Sequence, residues 1–178
     1  MERANKEVIF MTFNNNSKET QNPVALVGLG GAGMSILKKA IELRPSSFDA
    51  FAVNAESWLE NVNFYRFDQV NELITELEKY HHVFLTTGLG SSGGDSLVYL
   101  VNHLGNISAV FVTKPFKTER TRLKRAEEQL EMIGGDVIVK DLNELLIKRP
   151  DSPIGVALDE LDKEIAVEVI KKIESMKK

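Results

Sequence analysis

The sequence predicts an α/β protein: a mostly parallel sheet with helices on both faces, ending in a long C-terminal helix. Three observations carry that reading. Apolar runs of strand length alternate with segments of helical period along the chain. The runs are apolar at consecutive positions, as in Val24-Ala25-Leu26-Val27 and Val83-Phe84-Leu85, which is the pattern of strands covered on both sides. Two of them lead directly into glycine-rich turns that open helices.

Taken in order, Val24 to Val27 is the opening buried strand and runs into Gly28. Ile36, Leu37, Ala40, Ile41 and Leu43 have helical spacing, so a helix is expected over Ile36 to Leu43, stopped by Pro45-Ser46-Ser47. Phe48 to Val53 reads as the second strand and Phe64 to Phe67 as a short third; Val70, Leu73, Ile74 and Leu77 then mark an amphipathic helix. Val83 to Thr87 is a strand entering Gly88-Leu89-Gly90-Ser91-Ser92-Gly93-Gly94, after which a helix is expected over Ser96 to Leu104. Ile107 to Thr113 is the next buried strand, Arg120 to Ile133 a highly charged helix, and Val137 to Val139 a short strand after the Gly134-Gly135 turn. The last helix starts at Ser152-Pro153 and places Leu158, Leu161, Ile165, Val169, Ile173 and Met176 on one apolar stripe. Charged residues from Asp159 to Glu174 occupy the rest of its surface, so it should cover one sheet face and turn its other side to water.

No repeat and no Gly/Pro/Ser linker divides the chain, so residues 23–178 read as one domain. The polar segment 1–22 before it is expected to be partly disordered, with Val8-Ile9-Phe10-Met11 able to form a short edge strand. At a net charge of -4 the chain exerts no general pull on nucleic acid or an anionic membrane. No apolar run approaches the roughly 20 residues that span a bilayer, and Met1 to Gln21 lacks the apolar middle of a signal peptide. A cytoplasmic protein, without membrane insertion, is therefore expected. With no cysteine there is no disulfide, thiolate metal site or cysteine nucleophile, and the three histidines have no metal-ligand spacing, so no metal-ligand set is assigned. Arg120, Arg122, Lys124 and Arg125 are balanced by Glu127, Glu128 and Glu131, which reads as a salt-bridged helix face and not a nucleic-acid stripe.

The chemistry concentrates in the glycines. Gly28, Gly30 and Gly33 fit G-x-G-x-x-G between a strand and a helix, where backbone N–H groups converge on one spot that favours an anion, most often a phosphate. The same glycines also let strand and helix pack closely, and the pattern alone is weak. Read literally as a dinucleotide fingerprint, it places Glu56 about 20 residues on, near a ribose, and makes an NAD-binding protein one alternative. The second glycine loop and the absence of any catalytic constellation argue against that alternative.

The stretch Phe111-Val112-Thr113-Lys114-Pro115-Phe116-Lys117-Thr118-Glu119, continuing to Arg122 and Ala126-Glu127, resembles the FtsZ branch of the tubulin/FtsZ GTPase superfamily and its T-[KR]-P-F-x-x-E…R…A-E signature. The first loop is similar to that family's G-x-G-G-G-G-x-N, Ala52-Val53-Asn54 to its A-[VI]-N-T-D, and Thr86-Thr87-Gly88-Leu89-Gly90 to the start of its tubulin signature loop. The resemblance runs from Val24 to about Ile173 and implies a Rossmann-like GTPase domain that binds GTP or GDP, with Mg2+ as a candidate companion ion. It implies that Gly28, Gly30, Gly31, Ala32 and Gly33 lie against the phosphates and that Ser35 stands where the family has a nucleoside-contacting asparagine. Gly90, Ser91, Ser92, Gly93 and Gly94 match the phosphate-cradling signature loop. Glu119 and Arg122 match a ribose-contacting acid and a phosphate- or base-side arginine, with one residue deleted between them. Asp162 matches the acid that reads guanine, and a carboxylate can indeed accept from guanine N1–H and the 2-amino group together. Asn143 is a second guanine-reading candidate, although Lys140-Asp141-Leu142-Asn143 departs from the family's P-N-D.

Other departures shape the functional expectation. The second loop carries Ser91, Ser92 and Asp95 where the family has G-G-G-T-G-T-G-A, and Asp95 reads either as an N-cap or as an acid linked to phosphate through Mg2+. Between Asn54 and Asp68 there is no room for the family's long third loop. The sequence stops after the long helix, whereas the family continues into a loop with catalytic acids and a second domain. The expectation is a guanine-nucleotide-binding domain with no catalytic residue assigned and no self-activated hydrolysis, a partner or regulator of a cell-division or cytoskeletal filament or a self-associating protein. The alternative is a degenerate interaction protein on the same fold.

Overall fold

The computed structural model describes residues 22–178; the expected disorder of the N-terminal segment and its Val8–Met11 strand lie outside the described residues. Six strands form one parallel sheet: β1 (Val24–Leu29), β2 (Asp49–Val53), β3 (Asn63–Tyr65), β4 (His82–Gly88), β5 (Ile107–Lys114) and β6 (Val137–Asp141), in the order β3-β2-β1-β4-β5-β6. The helices are α1 (Gly30–Leu43), α2 (Val70–Leu77), α3 (Ser92–His103), α4 (Arg120–Ile133), α5 (Leu142–Lys148) and α6 (Ile154–Met176). The chain winds outward from β1 in one direction and then, from β4, in the other. The order therefore reverses between β1 and β4, and that is where an open α/β sheet leaves a crevice beyond its strand ends.

The uninterrupted apolar runs are explained by two cores, one on each face. Leu26, Phe84 and Phe111 point to the side covered by α1, α5 and α6, and meet Ile36, Leu37, Ile165 and Val169. Their neighbours Val27, Leu85 and Val112 point to the other side and meet Leu73, Leu97 and Ala126 of α2, α3 and α4. Fully burying each large aliphatic or aromatic side chain contributes roughly 1.5–3 kcal/mol, so both faces hold the sheet. α6 buries the expected stripe, Leu161, Ile165, Val169 and Ile173, and packs along α1.

Two helices begin earlier than their apolar spacing suggests. α1 starts at Gly30 and not Ile36, and α3 at Ser92 and not Ser96. Glycine is a poor helix former, but here tight packing outweighs propensity: a Cβ on Gly33 would lie 2.3 Å from the Thr86 carbonyl oxygen. Gly30, at φ +69°, makes the whole turn out of β1 in one residue. α5 was not anticipated from the sequence at all. It is held by Asp141, whose carboxylate accepts from the Asn143 N–H at 2.8 Å, and by burial of Leu142 and Leu145. β3 is short and pairs with β2 over only three positions; the crossover joining them, residues 54–62, contains no helix.

Candidate nucleotide site at the strand-order reversal

Leu29 at the end of β1 is the register partner of Thr87 in β4, so the two glycine loops leave the sheet side by side. They interlock. The Thr87 hydroxyl donates to the Leu29 carbonyl at 2.8 Å, and a Cβ on Gly93 would lie 2.6 Å from that same oxygen. A Cβ on Gly30 would meet Gly93 Cα at 3.3 Å. Gly31 differs: a Cβ there would meet nothing within 4 Å, and the residue is exposed. Its glycine is thus not required by packing among the described residues. The first turn of α1 has no side-chain cap and no acidic residue, which leaves its N–H groups and the positive end of a 14-residue helix open to an anion.

The second loop is braced from within and from α4. Ser91 caps α3: its hydroxyl accepts from the Gly94 N–H at 3.5 Å and donates to the Gly88 carbonyl at 2.8 Å. Asp95 is therefore not the N-cap: α3 already starts at Ser92 and Ser91 holds the capping position, so Asp95 lies inside the first turn. Its carboxylate turns instead toward α4, where it pairs with Arg125 and accepts from Gln129 Nε2 at 2.6 Å. Gln129 also accepts from the Gly90 N–H at 2.7 Å and donates to the Ser91 carbonyl at 3.1 Å. Gly94 must be glycine for this contact, since a Cβ would lie 2.2 Å from Gln129 Oε1. Gly90 has φ +78°, and a Cβ there would collide with the Arg122 carbonyl at 2.3 Å.

The remaining candidates fall into two groups. Arg122 lies over the second loop and receives Glu119, whose Oε1 accepts from Arg122 Nη1 at 2.9 Å while Oε2 accepts from the Phe116 N–H at 3.1 Å. Asn143 closes the adjacent turn: its Oδ1 accepts from the Lys117 N–H at 2.9 Å and its Nδ2 donates to Asp141 at 2.6 Å. On the α1–α6 side, Ser35 donates to the Gly31 carbonyl at 3.1 Å, and Lys39, one turn further along α1, pairs with Asp159 at 2.7 Å. Asp162 is half-buried and makes no hydrogen bond with any described residue. Burial, and then the nearby Asp159 carboxylate, push its pKa up to about 7 against the opposing pull of Lys39.

Gln129 and Lys39 escaped the sequence reading, and Thr87 entered it only as part of the Thr86–Gly90 match, with no role of its own. Thr87 could have been noticed as half of a polar pair closing an apolar strand. Gln129 falls on the buried stripe of α4 with Ala126 and Ile133, where a polar residue needs partners. Among the described residues, no group of three or more His, Asp or Glu side chains could hold a metal ion, and no helix is long and apolar enough to cross a membrane.

These features define a doubly wound α/β domain with paired glycine loops at its strand-order reversal. No protein-family model matches the chain. Cell division protein FtsZ 2 of Halobacterium salinarum is 26% identical over 178 aligned residues, covering 80% of this chain and 45% of that protein. An uncharacterized protein of Archaeoglobus fulgidus is 38% identical over 111 residues, covering 62% of this chain and 65% of its own length. Among solved structures, an empty FtsZ dimer of M. jannaschii superposes with a TM-score of 0.71 at 20% identity, over 86% of this chain and 55% of that one. CetZ from Methanosaeta thermophila gives 0.70 at 18% identity, over 88% and 55%. The chain is a distant homologue of the FtsZ/tubulin-superfamily GTPase domain, and it spans about half the length of the FtsZ relatives it matches.

Proposed function

We propose that this domain binds guanine nucleotide, GTP or GDP, in the crevice between the two glycine loops and the α1–α6 groove. The observation that carries the reading is the pairing of an uncapped, acid-free α1 N-terminus with a carboxylate, Asp162, that has no hydrogen-bond partner among the described residues and lies on the helix packed beside α1. The first offers amides to phosphate, and the second offers two acceptor oxygens to guanine N1–H and the 2-amino group. Gly28, Gly30, Gly31, Ala32 and Gly33 cradle one part of the phosphate chain, and Gly90, Ser91, Ser92, Gly93 and Gly94 the other. Ser35 faces the nucleoside, Arg122 the phosphates, and Glu119 and Asn143 shape the sugar and base side. A Mg2+ bound with the nucleotide would neutralise phosphate charge and would draw no ligand from Asp95, whose carboxylate is already engaged by Arg125 and Gln129. No residue of this chain is assigned to hydrolysis. In the cytoplasm such a domain would act on, or with, a filament of the FtsZ type, or associate with its own copies. Isothermal titration with GTP, GDP, ATP and NAD tests the reading: guanine nucleotides bind and the others do not, and Asp162→Ala removes the binding.

A second reading is favoured by one observation. The Gly90 and Gly94 N–H groups are already satisfied by Gln129 and Ser91, so the second loop offers fewer amides than its glycine content suggests. A protein–protein interaction domain that has lost its nucleotide would look like this. It predicts no thermal shift with GTP or GDP at millimolar concentration.

A further inference from the structure

Lys39 and Asp162 stand together at the α1–α6 groove as a donor and an acceptor. The Lys39 ammonium is close enough for its charge to act on Asp162, yet its hydrogen-bonded partner is Asp159, one helical turn before Asp162 on α6. The Lys39 side chain is 21% exposed and that of Asp159 63%, so the lysine reaches from within the groove to a carboxylate in water. An ion pair with so exposed a partner is weak and readily exchanged. Glu42, one turn nearer the end of α1, adds a further carboxylate to the field around Lys39.

On guanine, the 6-oxo group adjoins N1–H. A base whose N1–H and 2-amino group meet one carboxylate turns its 6-oxygen toward whatever stands beside that carboxylate. We propose that Lys39 is a specificity-determining residue that donates to the 6-oxo group of a bound guanine, with Asp159 as its resting acceptor; this rests on the guanine reading of the site. The two residues together form an acceptor–donor pair complementary to the guanine edge. Adenine presents the reverse: an unprotonated N1 toward the carboxylate and a 6-amino donor toward the ammonium, so both contacts repel.

The test compares GDP, IDP and 6-thio-GDP by isothermal titration. IDP keeps the 6-oxo group and lacks the 2-amino group; 6-thio-GDP replaces the 6-oxygen with sulfur, a poor acceptor. Lys39→Met is expected to weaken GDP and IDP about tenfold, the loss of one charge-assisted hydrogen bond, and 6-thio-GDP by less than about twofold. Lys39→Arg should restore most of the affinity, and Asp159→Ala, which removes the competing acceptor, should tighten GDP severalfold. Equal losses for all three ligands, or no loss, overturn the assignment of Lys39 while leaving guanine binding standing. If the wild-type protein binds none of the three, the guanine reading falls and this inference with it.

Discussion

The Thr87 hydroxyl donates to the Leu29 carbonyl at 2.8 Å, so the end of β4 holds the end of β1 at the one place in the sheet where the strand order reverses. The contact is buried, and the Leu29 oxygen also lies against Gly93. Thr87→Val keeps the shape and removes the donor, and is expected to cost about 1–3 kcal/mol. Thr87→Ser should cost less because it retains the hydroxyl. Gly93→Ala should be the worst of the three, since its methyl would lie 2.6 Å from a backbone oxygen. Urea unfolding of the three variants gives the order directly.

Gln129 serves three groups at once: the Gly90 N–H, the Ser91 carbonyl and the Asp95 carboxylate. Gln129→Leu strands two backbone groups of the second loop in a buried setting and should lower stability by about 2–4 kcal/mol. Gln129→Glu preserves the acceptor for Gly90 but loses the donor and sets a second carboxylate beside Asp95. That variant is expected to be destabilised at neutral pH and to recover as the pH falls and the new acid is protonated. Chemical denaturation at two pH values separates the two effects.

The elements that the sequence announced are those whose signal is local. Val24–Val27 and Val83–Leu85 are apolar at every position because both faces of the sheet are covered, and α6 shows its stripe because only one side of it is buried. The early starts of α1 and α3 were hidden because Gly30 to Gly33 and Ser92 to Gly94 carry no apolar period. Those residues are helical because other backbone segments press on them. α5 was hidden for a related reason: seven residues give too short a pattern, and its start depends on the Asp141 cap. Within the site, the loops were legible as glycine patterns. Gln129 and Lys39 were not, because their partners lie 39 and 120 residues away in the chain. Tertiary contacts of that range leave only a faint trace in one sequence, such as a polar residue on a buried stripe.

Arg122 offers a way to separate binding from folding. Its ion pair with Glu119 is partly exposed, so Arg122→Ala should change stability by no more than about 1 kcal/mol. The same change removes a cation from the rim of the second loop. GDP affinity should fall about fivefold to tenfold, with a smaller penalty at high salt. An unchanged affinity together with an unchanged melting temperature would show that Arg122 does not face the phosphates.

The Asp162 carboxyl gives the folded protein and its complex opposite responses to pH. Burial and Asp159 raise its pKa from 3.8 to about 7, with Lys39 opposing. Between those values the folded chain keeps a proton that the unfolded chain has lost, so stability should decline as the pH rises from about 4 to about 7 and then level off. Asp162→Asn has no proton to lose there, and should be the more stable protein at pH 8. Guanine, by contrast, needs the ionised carboxylate as a double acceptor. Affinity for GDP should therefore rise with pH, by up to about tenfold per unit below 7, and flatten above it. In Asp162→Asn that dependence should vanish along with most of the affinity. Melting curves and titrations across pH 5 to 8 measure both trends on the same samples. A structural acid with no ligand would give the first trend alone; only a carboxylate that meets the base gives both, with opposite signs.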